Sequence, residues 1–252
     1  MTVPSDEINV HKFLLAKRGT ERVECEDAIA LNTSRLLFAV ADGATEAYDS
    51  RSWAKLLVRS WVRIDPPAFE MQDFEPLVRD LGIRLQRKWS RRNLPWYADE
   101  KAQSGSFAAF VGLHLFPQGN GLGWRALALG DCCLIVRLHN EVSKTFPVGK
   151  FDEFSWNPVL LPSLASKQYK ALQTLRYAEG ASGPGTNFFL LSDAAAAWFL
   201  KQTERKRGDD VAAFDRVIES DDPTSITEFF EGLRDSSEIR NDDVAVLKIS
   251  VH

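Results

Sequence analysis

Phe38-Ala39-Val40-Ala41-Asp42-Gly43-Ala44-Thr45 decides how this chain is read. An apolar run stops at Asp42 and Gly43 follows, which predicts a buried strand ending in a carboxylate where the backbone turns sharply. A carboxylate held there suits a metal ion. Asp-Gly is also a common turn dipeptide, so its meaning depends on the neighbouring segments.

On the N-terminal side, residues 11–17 read as a strand and Gly19-Thr20 breaks it. A charged cluster, Arg22-Val23-Glu24-Cys25-Glu26-Asp27, then leads into an apolar run over 28–31. The turn Asn32-Thr33-Ser34-Arg35 joins that run to residues 36–41 as a hairpin, so Glu26, Asp27 and Asp42 are expected on neighbouring antiparallel strands. On the C-terminal side, Trp53, Leu56, Leu57, Trp61 and Ile64 recur at helical spacing over 50–64, and Asp65-Pro66-Pro67 ends the pattern. A second helix is expected over 76–91, with Pro76 at its first position. Its polar face carries Arg84, Arg87, Lys88, Arg91 and Arg92, read as a solvated face.

Strands are expected over 107–116, 124–129 and 132–138, with Gly119-Asn120-Gly121 and Gly130-Asp131 as turns. Residues 145–185 look irregular, a loop-rich insertion with a short helix. A buried strand over 187–191 ends at Ser192-Asp193 and runs into a helix over 194–202. Helices over 211–219 and 223–234 follow, and Asn241-Asp242-Asp243 opens a closing strand. Strands in runs and helices in separated pairs point to an α+β layered domain rather than an alternating parallel fold.

Composition narrows the function. The chain has 252 residues, 44% of them apolar, enough for a sizeable core. Its 31 basic and 35 acidic residues are intermixed and give a net charge of -4, which excludes the basic footprint of nucleic-acid binding. Cys25, Cys132 and Cys133 have no zinc spacing and read as core residues in a reducing compartment. Without a signal pattern at the N-terminus or an apolar run of spanning length, the expectation is a cytoplasmic protein with no membrane contact.

Glu26-Asp27, Asp42, Asp193 and Asp242-Asp243 all adjoin expected strand ends. Gathered together, they could not stay ionised without a cation, and oxygen-only ligation selects magnesium or manganese. Taken singly, each also reads as a turn or a helix cap, as Asp193 does before Ala194.

Order and context tip the balance. Arg22-Val23-Glu24-Cys25-Glu26-Asp27-Ala28 resembles the opening Arg-x-x-x-Glu-Asp motif of the metal-dependent protein phosphatases, also called type 2C serine/threonine phosphatases. The stretch 38–43 resembles that family's apolar-Asp-Gly motif. Ser104-Gly105-Ser106 is similar to its Gly-Ser/Thr-rich lead-in to the middle strands, and Leu129-Gly130-Asp131-Cys132 to its Gly-Asp-Ser motif. Leu191-Ser192-Asp193-Ala194 is similar to Ser-Asp-Gly, and Asn241-Asp242-Asp243 to the closing Asp-Asn motif. The resemblance spans nearly the whole chain.

It implies one phosphatase domain over 1–252, a four-layer α-β-β-α sandwich of two antiparallel sheets flanked by helix pairs. It implies two manganese or magnesium ions bridged by Asp42, with Glu26 and the Gly43 carbonyl completing one ligand set and Asp193 and Asp242 the other. Asp27 would orient a metal-bound water, and Arg22 would hold the substrate phosphate, a salt bridge to Glu24 or Glu26 being its plainer role. A water bridging the ions would attack phosphorus in line, hydrolysing phosphoserine or phosphothreonine in a protein made by an opposing kinase. Asp131 is similar to the residue that helps bind a third, weaker ion, and reads equally as a hairpin turn. The chain is treated as a monomer.

The departures are Ala44, where the family often has the His thought to protonate the leaving group, Thr45 and Glu46 for the usual glycines, Ala194 for Gly, and Ala197 for the second third-ion carboxylate. They motivate the alternative of a weak or inactive pseudophosphatase that binds phosphoproteins as a regulator. A metal-dependent nuclease is a remote third reading, since the basic surface is lacking.

Overall fold

The alternation in Leu37–Gly43 (β3) sets up the layers. Leu37, Ala39 and Ala41 are buried against helices, while Phe38 and Val40 are buried against a second sheet. Period-two geometry therefore places Asp42 on the face between the sheets, at the strand's end. The computed structural model describes residues 8–65, 71–91, 96–119, 121–154 and 157–252. Residues 1–6, Pro66, Pro67, Arg92 and Asn120, to which the sequence assigned roles, lie outside them.

One antiparallel sheet is ordered β1 (Ile8–Leu15), β11 (Val244–Val251), β10 (Thr186–Leu191), β6 (Cys133–Leu138), β7 (Glu141–Phe146). The other is ordered β2 (Ala28–Asn32), β3, β4 (Phe107–Gln118), β5 (Gly121–Leu129), β9 (Arg176–Ser182), and the short β8 (Leu161–Pro162) pairs with β4. The sheets share a central core that includes Phe38, Val111, Leu134, Phe188 and Leu247. Helices α1 (Ser50–Trp61) and α2 (Phe74–Trp89) cover the β3 sheet with Trp53, Leu57, Leu81 and Trp89. Helices α5 (Asp193–Glu204), α6 (Gly208–Glu219) and α7 (Pro223–Asp235) cover the other with Trp198, Phe199, Phe214 and Phe230. The result is the expected α+β sandwich of four layers. Trp53, Trp61, Trp89 and Trp198, on the apolar faces of helices, are core residues, and all three cysteines are free and buried.

Some local expectations are corrected. Pro76 stands third in α2, after Phe74 and Glu75. Residues 96–104, between the expected helix over 76–91 and the expected strand over 107–116, form a further helix, α3. The 145–185 region is more regular than its prolines suggested: it holds α4 (Ala165–Leu172), the short helix expected, but also β8 and all of β9. β7 and β9 are outermost strands of their sheets and lack the apolar alternation of a half-buried strand; pairing on one side defines them. Arg84, Arg87, Lys88 and Arg91 are exposed, as a solvated face should be. Among the described residues no helix is long and apolar enough to cross a membrane.

Candidate metal centre

The site is built from strand ends. Asp27 directly precedes β2, and the Ala28–Ala41 pairing sets it beside Asp42. Gly43 is required there, because a Cβ would come within 2.9 Å of Ser50, the first residue of α1, and 3.0 Å of the Glu26 carbonyl oxygen. Asp131 sits in the β5–β6 turn behind Gly130, whose φ of +94° favours glycine. Asp193 opens α5, and Ser192, not Asp193, occupies the cap position. Asp242 and Asp243 lead into β11.

Asp27 is 0% exposed, and neither of its carboxylate oxygens has a hydrogen-bond partner. Burial raises its pKa well above the ordinary carboxylate value; the Ser192 hydroxyl, close by but outside hydrogen-bond geometry, opposes this, and Asp243, Asp193 and Asp242 add to it. Asp42 is also raised well above that value, by burial and then by Asp27, Asp193, Asp131 and Asp242. Asp131 is pushed up to about 7, chiefly by burial and Asp193. The structure thus brings five of the sequence-predicted carboxylates, Asp27, Asp42, Asp131, Asp193 and Asp242, within electrostatic reach of one another.

Two expected ligands are engaged with cations. Arg240 Nη2 donates to Asp193 Oδ2 at 2.5 Å, leaving Oδ1 buried and without a partner. Lys17 Nζ donates to Glu26 Oε2 at 3.4 Å and to Thr45 Oγ1 at 2.9 Å. No three acidic, histidine or cysteine groups among the described residues stand in a ready ligating cluster. The donor set still fits a hard divalent cation: it is all oxygen, it is of one sign, and its most buried member is unpartnered.

Arg22 lies exposed in the turn before β2 and, among the described residues, makes no ion pair with Glu24 or Glu26. The histidines lie away from the cluster: His11 meets Asp221, and burial lowers His114 to about 4, so its ring is neutral.

Asp243 is a residue whose role the sequence did not disclose. Its Oδ1 accepts from the Lys17 backbone N–H at 2.8 Å and its Oδ2 from that of Glu26 at 2.7 Å, tying the end of β1 to the approach of β2. Arg234, buried on α7, supports the same corner by donating to the Ala16 carbonyl at 3.2 Å and the Asp242 carbonyl at 2.6 Å. Ser192 Oγ accepts from Ala245 N–H at 2.8 Å. Apart from the Arg234–Asp242 contact, which spans 8 positions, these contacts join residues 53 to 226 positions apart, beyond the reach of local pattern.

Sandwich order, helix placement and strand-end carboxylates together define the fold of the metal-dependent, type 2C serine/threonine phosphatases. Three solved structures show the likeness. The photosystem II phosphatase PBCP superposes with a TM-score of 0.65 at 14% identity, covering 97% of this chain and 99% of that one. PppA, a key regulatory component of the type VI secretion system in Pseudomonas aeruginosa, gives 0.59 at 17% identity, over 97% and 98%. The catalytic domain of the serine/threonine phosphatase PstP in complex with two manganese ions gives 0.59 at 14%, over 97% and 99%. The sequence itself matches no family model and no curated protein.

Proposed function

We propose that this protein hydrolyses phosphoserine and phosphothreonine in proteins, using two manganese or magnesium ions held by the strand-end carboxylates. The observation that carries the reading is Asp27, a fully buried carboxylate with both oxygens unpartnered, surrounded by other acids. A cation is the partner such a cluster lacks. Asp42, Glu26 and the Gly43 carbonyl, with Asp193 and Asp242, would hold the two ions, Asp42 contributing to both, and Asp131 would help hold a weaker third. When bound, the ions supply Lewis-acid polarisation of the phosphoryl group and activation of water for in-line displacement.

The chain's own groups do the rest. Asp27 accepts a hydrogen bond from the attacking water and fixes its direction. Arg22, exposed and planar, grips two phosphate oxygens. Asp243 and Arg234 hold the ligand-bearing corners in register. No protein acid stands at Ala44, so the leaving alkoxide gains no protonation from that position, and poor leaving groups react slowly. The substrate is the product of a protein serine/threonine kinase, which this enzyme opposes.

Support for a regulatory, phosphoprotein-binding reading comes from Ala44 and from Arg240 seated on Asp193. Initial rates separate the two readings, measured with and without manganese on an aryl phosphate and a phosphothreonine peptide. The phosphatase reading expects manganese-dependent release from both, faster for the aryl ester, and a loss of about a thousandfold or more in Asp42→Ala. Absence of turnover on either substrate, with manganese binding intact, would leave the regulatory reading.

A further inference from the structure

Helix α1 carries cations at four-residue steps, Arg51, Lys55 and Arg59, and Arg63 follows one step past its end. Side chains so spaced run along one side of a helix, here beside the buried face of Trp53, Ala54, Leu57 and Val58. Among the described residues none of these four cations, nor Lys12 on β1, takes part in an ion pair. Arg51 Nε is buried without a hydrogen-bond partner. Burial, then Arg51 and Arg59, hold the Lys55 ammonium below its ordinary pKa. In a chain of net charge -4 this is an uncompensated row.

The end of the row, Arg59 and Arg63, borders a groove of about 380 Å³ that is also lined by Lys12, Ile29, Ala30, Leu31 and Val62. β2 is the outermost strand of its sheet, paired only with β3, and β1 is outermost in the other sheet. An outermost strand presents unpaired N–H and C=O groups along its free side. Residues 29–32 of β2 are half-exposed; Ala30 packs toward the helices, and Ile29 and Leu31 toward the core between the sheets. The groove therefore combines a free sheet edge, an apolar floor and a row of cations.

The two repeats match. Four residues of helix advance about 6 Å, and two residues of extended chain advance about 6.6 Å. Every second side chain of a strand laid along β2 thus keeps step with the cations. We infer that this edge is a docking site for an extended acidic segment of the protein substrate, added as a strand beside β2. Its acidic side chains lie along the α1 row, and the alternate, apolar ones lie over Ile29 and Leu31. β2 leads back to Asp27, and Ser50 at the start of α1 abuts Gly43, so the docked strand is directed at the carboxylate cluster. A nucleic acid fits less well, since no aromatic platform is among the residues that line the groove.

Calling the docked segment substrate rests on the phosphatase reading; the groove's ligand chemistry does not. Fluorescence anisotropy tests it with a labelled octapeptide alternating Glu and Val, against one of the same composition with four Glu followed by four Val. The alternating peptide is expected to bind tighter. Arg59→Glu with Arg63→Glu is expected to weaken it by about tenfold or more, with melting temperature and aryl-phosphate turnover unchanged. Arg84→Glu with Arg87→Glu, on the exposed face of α2, is expected to leave it unchanged. Equal binding of the two peptides, equal loss in the two variants, or tighter binding of a single-stranded oligonucleotide or of anionic phospholipid vesicles overturns the docking site. Binding is read without turnover, so a protein inactive on every ester still decides the question. An active enzyme that ignores the alternating peptide overturns the docking site alone.

Discussion

Two clusters of buried charge in this protein are built in opposite ways. Between the β1–β11 sheet and its helices, Lys248, 1% exposed, donates to Asp215 at 2.9 Å and to Glu219 at 2.7 Å, and Arg137 pairs with the same Asp215. Both cations also lie over the Phe189 ring. At the strand ends, Asp27 is as deeply buried but faces acids, and its oxygens have no partner. Burial of charge therefore does not mark a functional site; imbalance of sign does. The first cluster is completed by the protein's own residues, and on the proposed reading the second is completed by a cation from outside.

Breaking each cluster should have a different effect. The largest belongs to Asp42→Ala, which should abolish manganese-dependent turnover while raising the melting temperature of the metal-free protein, because one of several like charges is gone. Lys248→Met should do the reverse. It strips Asp215 and Glu219 of a buried partner and should cost about 3 kcal/mol in denaturant unfolding, with turnover per folded molecule unchanged. Asp243→Ala should fall between, losing about 2 kcal/mol because two backbone N–H groups are left unsatisfied, and it should weaken manganese binding as the β1 and β2 ends drift apart. Asp243→Asn, which keeps one acceptor oxygen, should recover part of both.

The last effect is one of pH. Asp131 moves from 3.8 to about 7 on folding, and Asp27 and Asp42 move in the same direction. The folded chain therefore keeps protons that the unfolded chain releases, and stability of the metal-free protein is lost as pH rises from about 4 toward 7. Its melting temperature should fall by roughly ten degrees across that window. Saturating manganese should flatten the trend, since a bound cation replaces the protons. A melting temperature that rises with pH in the absence of metal would contradict the like-charge account.

Much of this was legible in the sequence where burial imposes a period. The apolar run over 38–41 gave the strand and the carboxylate at its end, and the Trp53–Leu57–Trp61 spacing gave α1, while the face that Asp42 shares with Phe38 and Val40 emerged only with the two sheets. Periodicity was silent where an element is defined by pairing alone. β9, Arg176-Tyr177-Ala178-Glu179-Gly180-Ala181-Ser182, is a strand because β5 accepts it, and α3 has no apolar stripe to show. In the site, strand ends and acid types could be read, but their counterions could not. Arg240 on Asp193 and Lys17 on Glu26 arise from tertiary approach, as does the Asp243 clamp across 226 positions.

The central claim is that the strand-end acids lack a cation which they are built to hold. Titration of the metal-free protein with manganese in a calorimeter, wild type beside Asp42→Ala, tests it most directly. The account predicts two ions bound per chain in wild type and loss of the pair in the variant, since Asp42 is the ligand they share. Wild-type protein that takes up no manganese, or binding unchanged by Asp42→Ala, would contradict it.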